Sequence, residues 1–174
     1  IRSGDNGINL GYGSFSASNA SLTIEGSGSL EVTSAQNSTV YTTGNITIQG
    51  GAKVTVNGGN SGQAIHAVGG TLTLTGNGTE VKATGGIDNE KSCSIKSGDS
   101  GNGMINVNDA AKLTASAIEG ALKINGTDAT DAQKNNLSNG VTADRQYSIS
   151  GTVNGIDGSA IEGATVQLAP TGTD

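Results

Sequence analysis

Hydrophobic and polar positions alternate in short runs across residues 46–86, and glycine separates the runs. Ile46-Thr47-Ile48, Val54-Thr55-Val56 and Ile65-His66-Ala67 follow one another, after which Leu72-Thr73-Leu74 and Val81-Lys82-Ala83 restart the order. A period of two sends successive side chains to opposite faces. Each run therefore predicts a half-buried strand, and Gly50-Gly51, Asn57-Gly58 and Gly69-Gly70 predict the turns between them.

Extended in both directions, the runs fall into three columns. The first holds Leu22-Thr23-Ile24, Ile46-Thr47-Ile48, Leu72-Thr73-Leu74 and Cys93-Ser94-Ile95. The second holds Leu30-Glu31-Val32, Val54-Thr55-Val56, Val81-Lys82-Ala83 and Ile105-Asn106-Val107. The third holds Val40-Tyr41-Thr42, Ile65-His66-Ala67 and Ile87-Asp88-Asn89, and steps within a column run from 21 to 27 residues. A repeat of this kind predicts an all-β solenoid, a single-stranded parallel β-helix of about four to five coils with three short strands per coil. Its coils would stack ~4.8 Å apart, with inward side chains forming ladders down the axis. Antiparallel hairpins compete, because Asn-Gly and Gly-Gly also form hairpin turns; the constant column order favours the solenoid.

Residues 1–20 predict an irregular first coil that covers the open end of the stack, since a bare terminal coil leaves a row of unpaired donors and acceptors. Leu113, Ala115, Leu122 and Ile124 predict a further, less regular coil. Residues 127–146 read as a cap or linker, with Thr127 or Asp128 starting a short helix that runs through Lys134 and ends at Asn139-Gly140. The expected division is thus a β-helix with its N-terminal cap over 1–126, a linker over 127–146 and extended strands over 147–174.

Composition narrows the class. With 29 glycines, one proline and only three Tyr and one Phe, the core must be thin and aliphatic, as a narrow stack of ladders allows and an ordinary globular core seldom does. A net charge of −6 argues against nucleic acid, whose binding rests on phosphate neutralisation by Lys and Arg. No apolar run approaches the ~20 residues of a membrane span. The Gly, Ser, Thr and Asn content with few basic residues reads as extracellular, and the opening at Ile1 without Met as a mature or excised chain. Cys93, the only cysteine, falls at an inward position and reads as a small buried apolar residue rather than a nucleophile.

Gly69-Gly70-Thr71-Leu72-Thr73-Leu74-Thr75-Gly76 and Gly50-Gly51-Ala52-Lys53-Val54-Thr55-Val56 resemble the glycine-rich repeats of right-handed parallel β-helices in bacterial secreted and cell-surface proteins. The resemblance covers residues 21–109 and implies a carbohydrate-binding or adhesin-like role; it carries no site residues across. Ser150-Gly151-Thr152-Val153, Asp157-Gly158 and Ile161 through Leu168 resemble the opening strands of carboxypeptidase regulatory-like and Cna-B-like β-sandwich modules. That likeness spans only about a third of such a module, so it implies a partial sandwich.

Candidate chemistry is sparse. A polysaccharide lyase needs a base with a cation to hold a uronate carboxylate, yet both arginines, Arg2 and Arg145, lie outside the regular coils. A glycoside hydrolase needs two facing carboxylates, and the expected outward rows, Glu31/Thr55/Lys82/Asn106 and Glu25/Gln49/Thr75/Lys96, present no such pair. No Gly-Gly pair continues into the calcium-binding repeat of Asp-bearing coils. Asp99–Asn102 and Asp128–Asp131 lack the spacing of a calcium loop. No motif implies a cofactor or a metal, and a catalytic role is not expected.

In the third column the outward residues are Tyr41, His66 and Asp88, with Asn9 before them. Ladder neighbours touch, so these three form one exterior stripe able to stack on a sugar ring and hydrogen-bond its hydroxyls. Outward solenoid positions are also simply polar, which is the blander account of the same residues. Two roles follow. One is a bacterial surface or secreted adhesion module that binds a glycan or an extracellular-matrix ligand through Tyr41, His66 and Asp88. The other is a structural spacer or filament subunit that assembles with itself or with neighbouring surface domains by strand addition through residues 147–168.

Overall fold

The computed structural model describes residues 1–3, 7–11, 19–60, 62–85, 93–146 and 159. The described residues are all-β apart from one short helix, and their strands form three mostly parallel sheets, an arrangement compatible with a parallel β-helix. The chain visits the sheets in a fixed cycle. The first pass is β1 (Arg2–Ser3), β2 (Ile8–Leu10) and β3 (Leu22–Glu25). The second is β4 (Ser29–Ser34), β5 (Val40–Thr42) and β6 (Ile46–Gln49), and the third β7 (Lys53–Asn57), β8 (Ile65–Ala67) and β9 (Thr71–Thr75). Then come β10 (Glu80–Thr84), β11 (Ile95–Ser97) and β12 (Met104–Asn108), followed by β13 (Lys112–Ala115), β14 (Ile118–Glu119) and β15 (Ala121–Ile124).

Each strand pairs in parallel with the one three elements earlier. The first sheet runs β3-β6-β9-β12-β15, the second β1-β4-β7-β10-β13 and the third β2-β5-β8-β11-β14. Register is in step throughout, so like residues stack. Ile46, Leu72, Ile105 and Leu122 make one inward ladder of the first sheet. Leu30, Val54, Val81 and Leu113 make one of the second. Val40, Ile65 and Ile95 do so in the third. The inner members of these ladders, such as Leu72, Ile95, Ile105 and Leu113, are fully buried, each burial contributing roughly 1.5–3 kcal/mol. Leu22, Ile24 and Leu30 in the first passes are only partly buried.

The corners between strands break the ladder, and two devices repair it. Buried hydroxyls supply the lost hydrogen bonds: Ser97 Oγ donates to the Met104 carbonyl at 2.8 Å, Ser94 Oγ to Ala117 at 2.6 Å and Thr39 Oγ1 to Asn57 at 2.6 Å. Thr42 Oγ1 likewise donates to the Ala20 carbonyl. Between the third and first sheets, glycine lets backbones stack directly. Gly44 N–H donates to Ala20 O at 2.9 Å and Gly69 N–H to Gly44 O at 3.1 Å. A Cβ on Gly69 would lie 2.5 Å from the Gly44 carbonyl carbon.

The C-terminal end closes differently. After β15 the chain turns back as β16 (Thr127–Asp128), antiparallel to β15. Lys123 faces Asp128 there at 2.9 Å, and its hydrogen bond holds the Asp128 carboxyl below the ordinary range. Helix α1 (Asp131–Asn135) follows. Its cap is Thr130, which accepts from Gln133 N–H while Gln133 accepts from Thr130 N–H, a reciprocal capping box. The start thus lies beyond the expected Thr127 or Asp128, because those residues are committed to β16. β17 (Val141–Thr142) then lies antiparallel on β13, and Leu137, Val141 and Ala143 are buried. At the other end, residues 2–3 and 8–10 are regular strands that extend the second and third sheets, where an irregular coil was expected.

The column order departs from expectation after β10. Cys93-Ser94-Ile95 leads into the third sheet and not the first, because Ile95 pairs with Ile65. Ile105-Asn106-Val107 lies in the first sheet and not the second, because Ile105 pairs with Leu72. Leu113 takes the place beside Val81. The cause is length: Leu72 to Ile105 spans 33 residues and Ile65 to Ile95 spans 30, whereas Val40 to Ile65 spans 25. Ile87-Asp88-Asn89 and, apart from Ser159, the sandwich-like stretch 147–168 lie outside the described residues.

Gly69→Ala should lower stability by about 2 kcal/mol or more, since backbone faces the added methyl. Gly28→Ala, with nothing within 4 Å of the new Cβ, should stay within about 0.5 kcal/mol of the parent. Urea unfolding midpoints of the two variants check the contrast.

Candidate functional site

The outward face of the third sheet carries the expected stripe in altered form. Alternation buries Val40 and Thr42 on β5 and Ile65 and Ala67 on β8, which turns Tyr41 and His66 outward. Parallel register sets Asn9 beside Tyr41, Tyr41 beside His66, Lys96 beside His66 and Glu119 beside Lys96. Lys96 therefore holds the position next to His66 that was expected for Asp88, which lies outside the described residues.

Tyr41 and His66 are in contact. Their ring centroids lie 5.3 Å apart with planes at 87°, an edge-to-face pair. Burial pushes the His66 imidazole below its ordinary pKa, and the Lys96 ammonium adds to the effect. The Gly98 backbone hydrogen bond and the Asp99 and Glu119 carboxylates oppose it. His66 Nε2 is buried without a hydrogen-bond partner, so packing against Tyr41 holds this ring at a polar cost. Lys96 pairs with Glu119 at 3.8 Å. The stripe is thus a neutral aromatic pair beside an ion pair. No family model, characterised protein or solved structure matches this chain.

Tyr41 and His66 were legible because their triplets are evenly spaced; Lys96 and Glu119 were missed because the longer fourth pass displaces them from the expected register. Their opposite charges, 23 residues apart at outward positions of Ile95-Lys96-Ser97 and Ile118-Glu119, were the available signal. Among the described residues no group of three or more His, Cys, Asp or Glu converges on a common point. Cys93 is buried, as its inward placement implied, although it precedes a third-sheet strand. Burial, with help from the Glu119 carboxylate, pushes its thiol up to about 11.

Two measurements follow. A group whose folded pKa is lowered binds fewer protons in the folded chain than in the unfolded one. His66 should therefore leave stability untouched above pH 6.5 and reduce it as the pH falls below that value. Urea titrations at pH 7.5 and 5.5 should show that loss in the parent and a smaller one in His66→Gln. Cys93 in the folded chain should react with a thiol reagent at pH 8 at least ~10-fold more slowly than in urea, because little thiolate forms and access is poor.

Proposed function

We propose that this chain is a non-enzymatic module of a bacterial surface or secreted protein, a right-handed parallel β-helix of about five coils that mediates adhesion by binding carbohydrate. The observation that carries the reading is the Tyr41–His66 edge-to-face pair on the outside of a rigid parallel sheet. Aromatic faces held by backbone ladders offer a sugar ring an apolar surface at little ordering cost. The Lys96–Glu119 pair beside them supplies charged donors and acceptors for hydroxyls. The repeat resemblance of residues 21–109 points the same way, toward an extracellular setting.

A glycan array probed with the full chain tests the reading. Tyr41→Ala and His66→Ala should each weaken binding to the best-bound glycan by about fivefold or more, with an unchanged far-UV spectrum. A parent chain that binds no neutral or acidic glycan, or variants that bind as the parent does, would sink it.

A second reading, a structural spacer or filament subunit joined by strand addition, is favoured by one asymmetry. The first and second sheets end on the antiparallel strands β16 and β17, whereas the third ends on β14 with no further strand among the described residues. A hollow of about 670 Å³ lies beside that edge, lined in part by Ile118, Leu122, Lys134 and Leu137. Light scattering that shows a monomer at every concentration would remove this alternative.

A further inference from the structure

The outward face of the second sheet gathers lysines on an acidic chain. Register stacks Lys53, Glu80 and Lys112 in one row and Glu31, Thr55, Lys82 and Thr114 in the next. Lys53 and Glu80 approach to 3.6 Å. Lys82 and Lys112 have no carboxylate partner among the described residues. Together with Ser138 these side chains line a shallow hollow of about 360 Å³, in which three lysines face one glutamate. The local charge is therefore positive on a chain whose net charge is −6.

Sheet geometry fixes the spacing of these cations. Lys53 and Lys112 stand two strands apart, roughly 10 Å, and Lys82 lies between them but roughly 7 Å further along the strand direction. The ammonium groups sit on flexible stems as strongly hydrated point charges, suited to separate anionic groups along an extended polymer. The threonine and serine hydroxyls between them suit the hydroxyls of a sugar.

We infer that the Lys53–Lys82–Lys112 face of the second sheet binds an acidic polysaccharide through its carboxylate or sulfate groups. Nucleic acid fits less well, because the hollow has no aromatic side chain on which a base could stack. An acidic peptide fits less well: the strands under the face are paired on both sides, which leaves no backbone for strand addition. The inference borrows from the proposed function only the choice of a glycan ligand. Its residues lie on a different sheet from Tyr41 and His66.

The test is retention and affinity of the full chain on heparin, on alginate and on neutral dextran at low salt, with poly-glutamate as the peptide competitor. The two acidic polymers separate sulfate from carboxylate preference. The parent should bind at least one of them and not dextran, and salt should weaken the binding. Lys82→Gln/Lys112→Gln should reduce affinity roughly tenfold. Lys82→Arg/Lys112→Arg should retain it, as should the charge-matched Lys123→Gln/Lys134→Gln. Absence of binding to both acidic polymers would overturn the inference. So would an equal loss in the charge-matched control, or poly-glutamate binding tighter than either polysaccharide. Loss in Tyr41→Ala with no loss in Lys82→Gln/Lys112→Gln would place the glycan on the third sheet and overturn this site alone.

Discussion

Parallel backbone pairing between successive passes is the constraint from which the rest of this molecule follows. Each strand is held by the one three elements earlier and in turn holds the one three elements later, so inward and outward positions are shared down the whole stack. A slip of one residue in any pass would expose that pass's Val, Ile and Leu and bury its Thr, Lys or Glu. The ladders tolerate differences in volume far better than differences in register. Val32 and Val56 stack on Ala83 and then Ala115 in one column, and all four are buried.

The corners carry the cost of that regularity. Backbone groups there fall out of the ladder, and burial of an unpaired donor or acceptor costs about 1–3 kcal/mol. The chain meets this with side-chain hydroxyls where a carbonyl is orphaned, and with glycine where two backbones must touch. This accounts for a composition rich in Ser, Thr and Gly without recourse to flexibility. The C-terminal end uses another solution, in which β16, α1 and β17 fold back over the last strands and bury Leu137 and Val141.

Because stability rests on the inward ladders and the corners, the outward positions are free to carry recognition. The third sheet presents an aromatic pair beside an ion pair, and the second presents a cluster of lysines around one glutamate. On a solenoid such faces are built from residues 23 to 32 positions apart in the chain, brought into contact by stacking alone. His66 illustrates the compromise. Its ring packs on Tyr41 while one nitrogen goes unpaired, which is a cost in stability that the fold itself does not require.

The sequence alone determined the strand pattern, the inward and outward faces of the early passes and the contact between Tyr41 and His66. These depend on period-two alternation and on near-constant spacing, both of which are local. It also placed Cys93 in the interior, since its neighbours alternate around it. It could not determine which sheet each later run joins: a triplet such as Ile105-Asn106-Val107 suits any of the three, and only a steady step distinguishes them. The longer pass between β10 and β11 removed that step, so Lys96 rather than Asp88 stands beside His66, and Leu113 rather than Ile105 beside Val81. The start of α1 was decided by tertiary structure for a related reason, since pairing with β15 claims Thr127 and Asp128 as a strand and passes the cap to Thr130. Alternation is written residue by residue, whereas the choice of neighbour is made by the hydrogen bonds of the assembled stack.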